Sequence, residues 1–264
     1  MSDMISDADL IRALRKAAFS DGLKEACDAY LCRIDNDNDF EPETNGEHRF
    51  LDAILPFCRT VFDVGACVGE WSEKVLAIKP DLELHSFEPM AKAQQTLTYK
   101  VGGKAIINCF ALGKVSGKEV FHSAENYPQL ASSFERPWFS FENTRADTVD
   151  VMSLTDYCDR HGVGHIDLLK IDVEGSEMDV LEGGIDLFRQ GRVMAAQVEY
   201  GGTWIAPRRQ LRDLFDLLAG TDYVVAKLMP DGCRVVERYD PSLETYRYSN
   251  WLILQQEMVE VVRG

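Results

Sequence analysis

The chain has 264 residues, 45% hydrophobic and 27% charged, with a formal net charge of -16, which suits one or two soluble domains of roughly 100–200 residues each. So acidic a surface repels phosphate backbones and argues against a nucleic-acid partner, the only notable basic pair being Arg208 and Arg209. No segment approaches the ~18 consecutive apolar residues of a membrane span, and the acidic start MSDMISDADL differs from a basic signal or transit peptide, so the expectation is a cytoplasmic protein with no membrane partner.

Asp7 to Arg33 place Leu10, Ile11, Leu14, Ala18, Ala26, Tyr30 and Leu31 at mostly helical spacings, which predicts one or two amphipathic helices with a break at Gly22. IDNDNDFEPETNGE is a polar connection. Its DNDND core superficially matches a calcium loop but lacks the glycine and glutamate that such a loop requires. A helix is expected from Gly46 to Phe57. Val61, Phe62 and Val64 then form an apolar run without a polar face, a parallel strand buried on both sides, followed by Asp63, Gly65, Ala66 and Gly69 in a glycine turn and a helical period from Glu70 to Ile78.

Further strands are predicted at Leu82 to Pro89 and Lys104 to Leu112, with a helix through Leu97 between them. Gly113 and Gly117 should begin a hairpin into EVFHS. Glu125 to Asp147 is irregular and rich in aromatics (Tyr127, Phe134, Trp138, Phe139, Phe141). TVDVMSL alternates as a strand, Leu154 to His161 reads as a helix, and IDLLKIDVEG is a second buried strand ending in acids and glycine. Helix Ser176 to Phe188, strand Val193 to Tyr200, helix Arg208 to Leu218 and strands YVVAKLM and NWLILQQ complete an alternation that implies a mainly parallel α/β sheet. The expected organisation is one domain at 45–264 behind an N-terminal helical extension at 1–44. Seven cysteines, odd in number and without a CxxC pair, read as reduced thiols rather than a disulfide framework or zinc site.

Four strand ends carry acids or glycines: Asp63 to Gly69, Glu88, Asp172 to Gly175, and Glu199. Acids at successive strand ends converge on one crevice, where open α/β sheets bind ligands. Glu88 follows Gly69 at the end of the second strand, the position from which an acid accepts hydrogen bonds from ribose hydroxyls. GxGxxG is absent, so no tight pyrophosphate turn is specified. A cofactor without phosphates and with a cationic centre, such as S-adenosylmethionine, suits the looser loop and its negative surroundings.

VFDVGACVGEWS, HSFEP, FALG, the SSF at Ser132 to Phe134 and above all DLLKIDVEGSEMDVLEGG resemble the FkbM family of S-adenosylmethionine-dependent methyltransferases, as do NGE at Asn45 to Glu47 and VEY at Val198 to Tyr200. The resemblance spans Asn45 to Tyr200. It implies a Rossmann-like class I methyltransferase fold, a seven-stranded sheet with the last strand antiparallel, and O-methylation, often of sugar hydroxyls. It further implies that Asp63, Gly65, Ala66 and Gly69 line the methionine and ribose, that Glu88 beside Pro89 holds the ribose, that Ala111 and Leu112 flank the adenine, and that Glu47 closes the pocket. Cys67 stands where the family commonly has asparagine.

A hydroxyl acceptor must lose a proton, and Asp172, Glu199 and Glu174 are the candidate bases, in that order, with Asp172 also facing the cofactor and His48 and His165 as alternatives. Glu174 is read as a helix cap rather than a magnesium or calcium ligand, so no metal is assigned. The stretch from Tyr127 to Phe141, with Tyr200, Gly201, Gly202 and Trp204, reads either as a lid and acceptor platform or as packing under a long loop. The expected partner is a small-molecule acceptor, a sugar or glycoside. A nicotinamide-dependent oxidoreductase and a non-catalytic regulator on the same fold are the rival readings.

Overall fold

The computed structural model describes residues 7–16, 21–124, 127–134 and 144–263. Helices α1 (Asp7–Lys16) and α2 (Asp21–Asp35) come first, and Gly22 lies in the first turn of α2 rather than at a break. The chain leaves α2 through Asn36 and Asn38, both left-handed at φ 54° and 57°, a conformation asparagine tolerates better than most residues. Asp39 Oδ1 then accepts the Glu41 N–H at 3.1 Å and the Thr44 hydroxyl at 3.0 Å. The acidic connection is therefore a self-bonded turn.

Helix α3 (Glu47–Ile54) tightens into a 3-10 turn at Leu55–Phe57, earlier than the helical reading to Phe57, because Pro56 offers no N–H to continue it. Strands and helices then alternate through β1 (Thr60–Val64), α4 (Glu70–Ile78), β2 (Glu83–Phe87), α5 (Ala91–Val101) and β3 (Ala105–Asn108). The single strand expected over Lys104 to Leu112 is two: β4 (Ala111–Gly113) turns away into a second sheet with β5 (Gly117–Ala124), β6 (Tyr127–Ser132) and β7 (Thr144–Ser153). The order β4-β7-β5-β6 replaces the expected hairpin, since β7 lies between β4 and β5.

The chain continues through α6 (Leu154–His161), β8 (Ile166–Ile171), α7 (Glu177–Gly183), α8 (Ile185–Arg189), β9 (Val193–Tyr200), α9 (Leu211–Leu218), β10 (Tyr223–Met229), β11 (Gly232–Val235), β12 (Ser249–Gln255) and α10 (Gln256–Arg263). The helix expected over Ser176 to Phe188 is interrupted at Gly184, which packs against Leu154. That expected from Arg208 starts at Leu211, since Arg208 is left-handed at φ 59° and Gln210 with Asp213 forms a capping box.

The main sheet runs β11-β10-β12-β9-β8-β1-β2-β3. It has eight strands, not seven, because β11 adds an antiparallel edge to β10. β1, β2, β3, β8 and β9 are parallel, and β12 enters antiparallel between β9 and β10. Alternate residues feed two cores. Phe62, Val64, Leu169, Ile171 and Val198 pack with α6 to α9, while Val61, Leu168, Ala195 and Leu252 pack with α3, α4, α5 and α10. A strand buried on both faces reads as a nearly continuous apolar run, and full burial of one such side chain contributes about 1.5–3 kcal/mol.

Arg209 is committed to ion pairs with Asp179 at 2.7 Å and Glu182 at 2.8 Å. All seven cysteines are free thiols, and no helix of the described residues is long and apolar enough to cross a membrane.

Candidate functional site

The carboxyl ends of β1, β2 and β8 meet at the loop Gly65 to Gly69. Gly65 has φ +84°, and a Cβ there would lie 1.8 Å from the Asp172 carbonyl oxygen, so only glycine lets the loop approach the end of β8. The Gly65 and Ala66 N–H groups donate to the Phe87 carbonyl at 3.0 and 2.9 Å. Glu88 closes the loop from β2, its Oε2 accepting the Cys67 N–H at 2.9 Å and its Oε1 the Met90 N–H at 2.6 Å. Burial raises the Glu88 carboxyl to about 7 against the lowering effect of these two bonds.

Two compartments adjoin across this loop, sharing Gly65, Cys67 and Asp172. The inner one is lined by Glu88, Pro89, Ala111, Leu112 and Glu174 among others. The outer one is an open cleft lined by Glu47, Asp63, Ala66, Trp71, Lys170 and Tyr248 among others. Gly69 sits behind the loop at the start of α4, against Leu97.

A row of polar side chains crosses the sheet under the outer cleft. Asp63, Lys170 and Gln197 are register partners on β1, β8 and β9. Asp63 Oδ2 accepts the Ser72 hydroxyl at 2.6 Å, and Glu47 accepts Gln197 Nε2 at 2.6 Å from the start of α3. Gly46 and Asn45 set that helix start, with Asn45 Oδ1 accepting the Glu47 N–H at 2.9 Å. Lys170 Nζ lies 2.9 Å from Asp172 Oδ2 and 5.8 Å from the centre of the Trp71 ring. Burial pulls the Lys170 ammonium down, but Asp172, Asp63 and Glu47 together outweigh it and hold the proton firmly. Burial raises Asp63 and Glu47. Asp63 Oδ1, Gln197 Oε1 and Trp71 Nε1 have no hydrogen-bond partner among the described residues. Unpaired buried polar atoms are costly, and two of these residues, Asp63 and Trp71, line the outer cleft, where a ligand would satisfy them.

Asp172 and Glu199 share a hydrogen bond. Burial opposes ionisation of Asp172, yet the Lys170 charge and the bond from Glu199 keep it below the usual carboxylate range. Burial, then the Asp172 charge, then Glu174 and Glu177, hold Glu199 far above it. The two carboxyls are thus driven apart in proton affinity, Asp172 downward and Glu199 upward.

At the start of α7 the Glu177 carboxylate accepts the Val173 N–H at 3.0 Å and the Gly175 N–H at 3.1 Å, and burial raises it to about 8. Glu174, left-handed at φ 58°, lines the inner compartment. Ser132 Oγ donates to the Glu174 carbonyl at 2.7 Å and Ser133 Oγ meets Ser176 Oγ at 2.8 Å, which ties the SSF segment to this turn. His48 lines the outer cleft. His165 does not reach the site: it lies at the amino end of β8, 3.4 Å from Asp167. Of the aromatic stretch, Trp138, Phe139 and Phe141 fall outside the described residues. Tyr200 and Trp204 are core residues, their rings 5.2 Å apart.

Lys170, Gln197, Trp71 and Tyr248 escaped the reading of the sequence. For Lys170 and Gln197 the signal was present, a lone polar residue inside an apolar run that is buried on both faces.

A family model described as the Methyltransferase FkbM domain matches residues 63–225. The 2-O-methyltransferase NoeI of Sinorhizobium fredii (strain NBRC 101917 / NGR234) is 26% identical over 180 residues, covering 62% of this chain and 72% of NoeI. Among solved structures, the O-methyltransferase TomG of Streptomyces achromogenes is 12% identical and covers 95% of this chain and 96% of its own, with a TM-score of 0.43. An rRNA methylase of Streptococcus thermophilus is 10% identical and covers 83% of this chain and 99% of its own, with a TM-score of 0.42.

Proposed function

Because the chain belongs to the FkbM methyltransferase family, we propose that it moves a methyl group from S-adenosylmethionine to a hydroxyl of a small-molecule acceptor, a sugar or glycosylated natural product. The observation that carries this reading is Asp172. It is ionised, paired with Lys170, and set where the inner compartment meets the outer cleft.

The residues present fit the cofactor. Glu88 would hold the ribose hydroxyls, and Ala111 and Leu112 on β4 would flank the adenine. Asp63 Oδ1 and Trp71 Nε1, an acceptor and a donor without partners among the described residues, suit an amino-acid end. When bound, S-adenosylmethionine supplies a methyl carbon already activated by its sulfonium. The protein's task is then alignment, for which Gly65 and Ala66, fixed to Phe87, form the rigid edge.

Asp172 takes the proton of the acceptor hydroxyl. Glu199, hydrogen-bonded to Asp172 and held far above the usual carboxylate range by burial and the Asp172 charge, positions the base. A weak base suffices, because the hydroxyl proton becomes acidic as the new C–O bond forms. The relation to NoeI, a 2-O-methyltransferase, supports oxygen as the acceptor atom, and the net charge of -16 favours a small molecule over a nucleic acid.

Calorimetric titration with S-adenosylmethionine and S-adenosylhomocysteine tests the cofactor site. Micromolar binding is expected, lost in Glu88→Ala, and absence of binding to folded protein would sink the reading. With an acceptor in hand, Asp172→Asn should lower kcat by about 10²–10⁴.

A further inference from the structure

The family match begins at residue 63, so the acidic connection that leads into Glu47 lies outside it. Much of that connection faces water: Asn38, Phe40, Glu41, Glu43 and Thr44 are exposed. Asn36, Asp37 and Asn45 are not, with 6%, 3% and 2% of their surfaces accessible. Polar side chains are buried where bonds compensate the lost water.

Here those bonds run in series to the outer cleft. Asp37 pairs with Lys227 on β10, and the Lys227 ammonium lies 5.9 Å from the centre of the Trp251 ring. Asn36 Nδ2 donates to the Leu228 carbonyl at 3.0 Å and to the Asn45 carbonyl at 2.7 Å, so one amide joins β10 to the far end of the connection. Gly46 follows at φ +96°, where a Cβ would meet the Met229 carbonyl oxygen at 2.2 Å. Asn45 Oδ1 then accepts the Glu47 N–H, and Glu47 accepts Gln197. Midway, Phe40 stacks on Tyr248, just ahead of β12, with ring centroids 4.5 Å apart, and the Asn38 N–H donates to the Tyr248 carbonyl at 2.8 Å. Residues 36–46 form a strap held against β10 at both ends and against Tyr248 between them.

A loop that merely links two helices needs no such anchorage. A buried ion pair adds little net stability over an apolar pair of the same size, because both ions lose their water, but it fixes its partners in one place. The group at the end of this series is the Glu47 carboxylate, in the same cleft as Asp63, Trp71 and Lys170. Resting on the function proposed above, we infer that Asn36, Asn45 and the Asp37–Lys227 pair are positioning residues, which hold Glu47 where the ammonium of the cofactor's amino-acid end meets it. The strap then sets affinity for that end. The nucleoside end rests on Glu88, Ala111 and Leu112, in the inner compartment, which none of these bonds reaches. The boundary expected between residues 44 and 45 accordingly falls inside one working unit.

Calorimetry on the full chain with two ligands separates the ends: S-adenosylhomocysteine carries the amino acid, and methylthioadenosine lacks it. In Asn36→Ala and in Glu47→Gln, S-adenosylhomocysteine should bind about tenfold more weakly, with methylthioadenosine within about twofold of the unaltered protein. The double variant should again lose about tenfold, because Asn36 acts through Glu47. Asn45→Ala keeps the anchor on β10, removes the bond to the Glu47 N–H, and should show the same selective loss, which carries the test where Asn36→Ala does not fold. Unchanged binding of both ligands, equal loss of both in a folded variant, or losses that add to about a hundredfold in the double variant overturns the inference. So does failure of methylthioadenosine to bind an unaltered protein that binds S-adenosylhomocysteine, since the nucleoside end would not then stand alone. An unaltered, folded protein that binds neither ligand would instead bring down the function on which the inference rests.

Discussion

Three glycines with nearly the same backbone allow the close approach at the site to be measured. Gly65, Gly69 and Gly103 have φ +84°, +82° and +83°, but an added Cβ would meet the Asp172 carbonyl oxygen at 1.8 Å, Leu97 Cδ1 at 2.8 Å, and nothing within 4 Å, respectively. The left-handed conformation costs an L-residue about 1–2 kcal/mol, and Gly103→Ala should show that alone. Gly69→Ala adds pressure on a flexible side chain, about 1 kcal/mol more. In Gly65→Ala main chain must move against main chain by roughly 1.5 Å to restore ordinary contact, adding about 2–3 kcal/mol. The total of about 4 kcal/mol is a large part of the roughly 5–15 kcal/mol typical of a folded domain. At about 2–4 °C per kcal/mol, the melting temperature should fall ~12 °C for Gly65→Ala and ~4 °C for Gly103→Ala. Because the displaced carbonyl belongs to Asp172, S-adenosylhomocysteine affinity should fall only in the first. Scanning calorimetry and titration read both quantities, and equal losses of melting temperature at positions 65 and 103 would refute the contact between the loop and the end of β8.

Two further outcomes follow from the charges of the site. Glu88, raised to about 7 by burial, accepts ribose hydroxyls best as a carboxylate, so S-adenosylhomocysteine should bind more tightly at pH 8 than at pH 6, on the order of tenfold where binding returns the group to the ordinary carboxylate range. Glu88→Gln should flatten that dependence, and an unchanged slope in the variant would assign it elsewhere. Lys170→Met leaves Asp172, Asp63 and Glu47 without their shared ammonium, a loss of about 3–5 kcal/mol. Their folded-state affinities for protons rise as a result, so protonation relieves the loss at low pH and the deficit grows as pH increases. Urea unfolding at pH 5 and pH 8 should show the larger deficit at pH 8, whereas equal deficits would mean that Lys170 contributes by packing alone.

Much of this arrangement was legible in the chain, for identifiable reasons. Apolar runs such as Val61 to Val64 betray strands buried on both faces, and acids or glycines directly after them mark the binding edge, so Asp63, Gly65, Glu88 and Asp172 could be placed before any coordinates. The second sheet was not legible, because β4 has only three residues and pairs with β7, forty positions on; local pattern carries no record of such a partner. Nor was the division of labour among the acids. Glu177, whose carboxylate bonds the Val173 and Gly175 N–H groups, carried no mark in the sequence that set it apart from Glu174. Phe40 and Tyr248 lie far apart in sequence, and they meet through long-range contacts such as those of Asn38 with Tyr248 and Asp37 with Lys227.

The insertion of β12 between β9 and β10 imposes an order of assembly. β12 follows both of its neighbours in the sequence, so neither has a partner on that side until it is made. The five parallel strands that carry the Gly65 loop and Glu88 need nothing beyond β9, whereas the wall at Phe40 and Tyr248 depends on contacts such as Lys227 with Asp37 and Tyr248 with Asn38, which span 190 and 210 positions. Closing such loops carries an entropy cost that nearer contacts avoid, and chains grow from the amino end. During synthesis the half of the crevice around Glu88 can thus take shape while the opposite wall is still missing, and a nascent chain halted before Tyr248 would hold half a site.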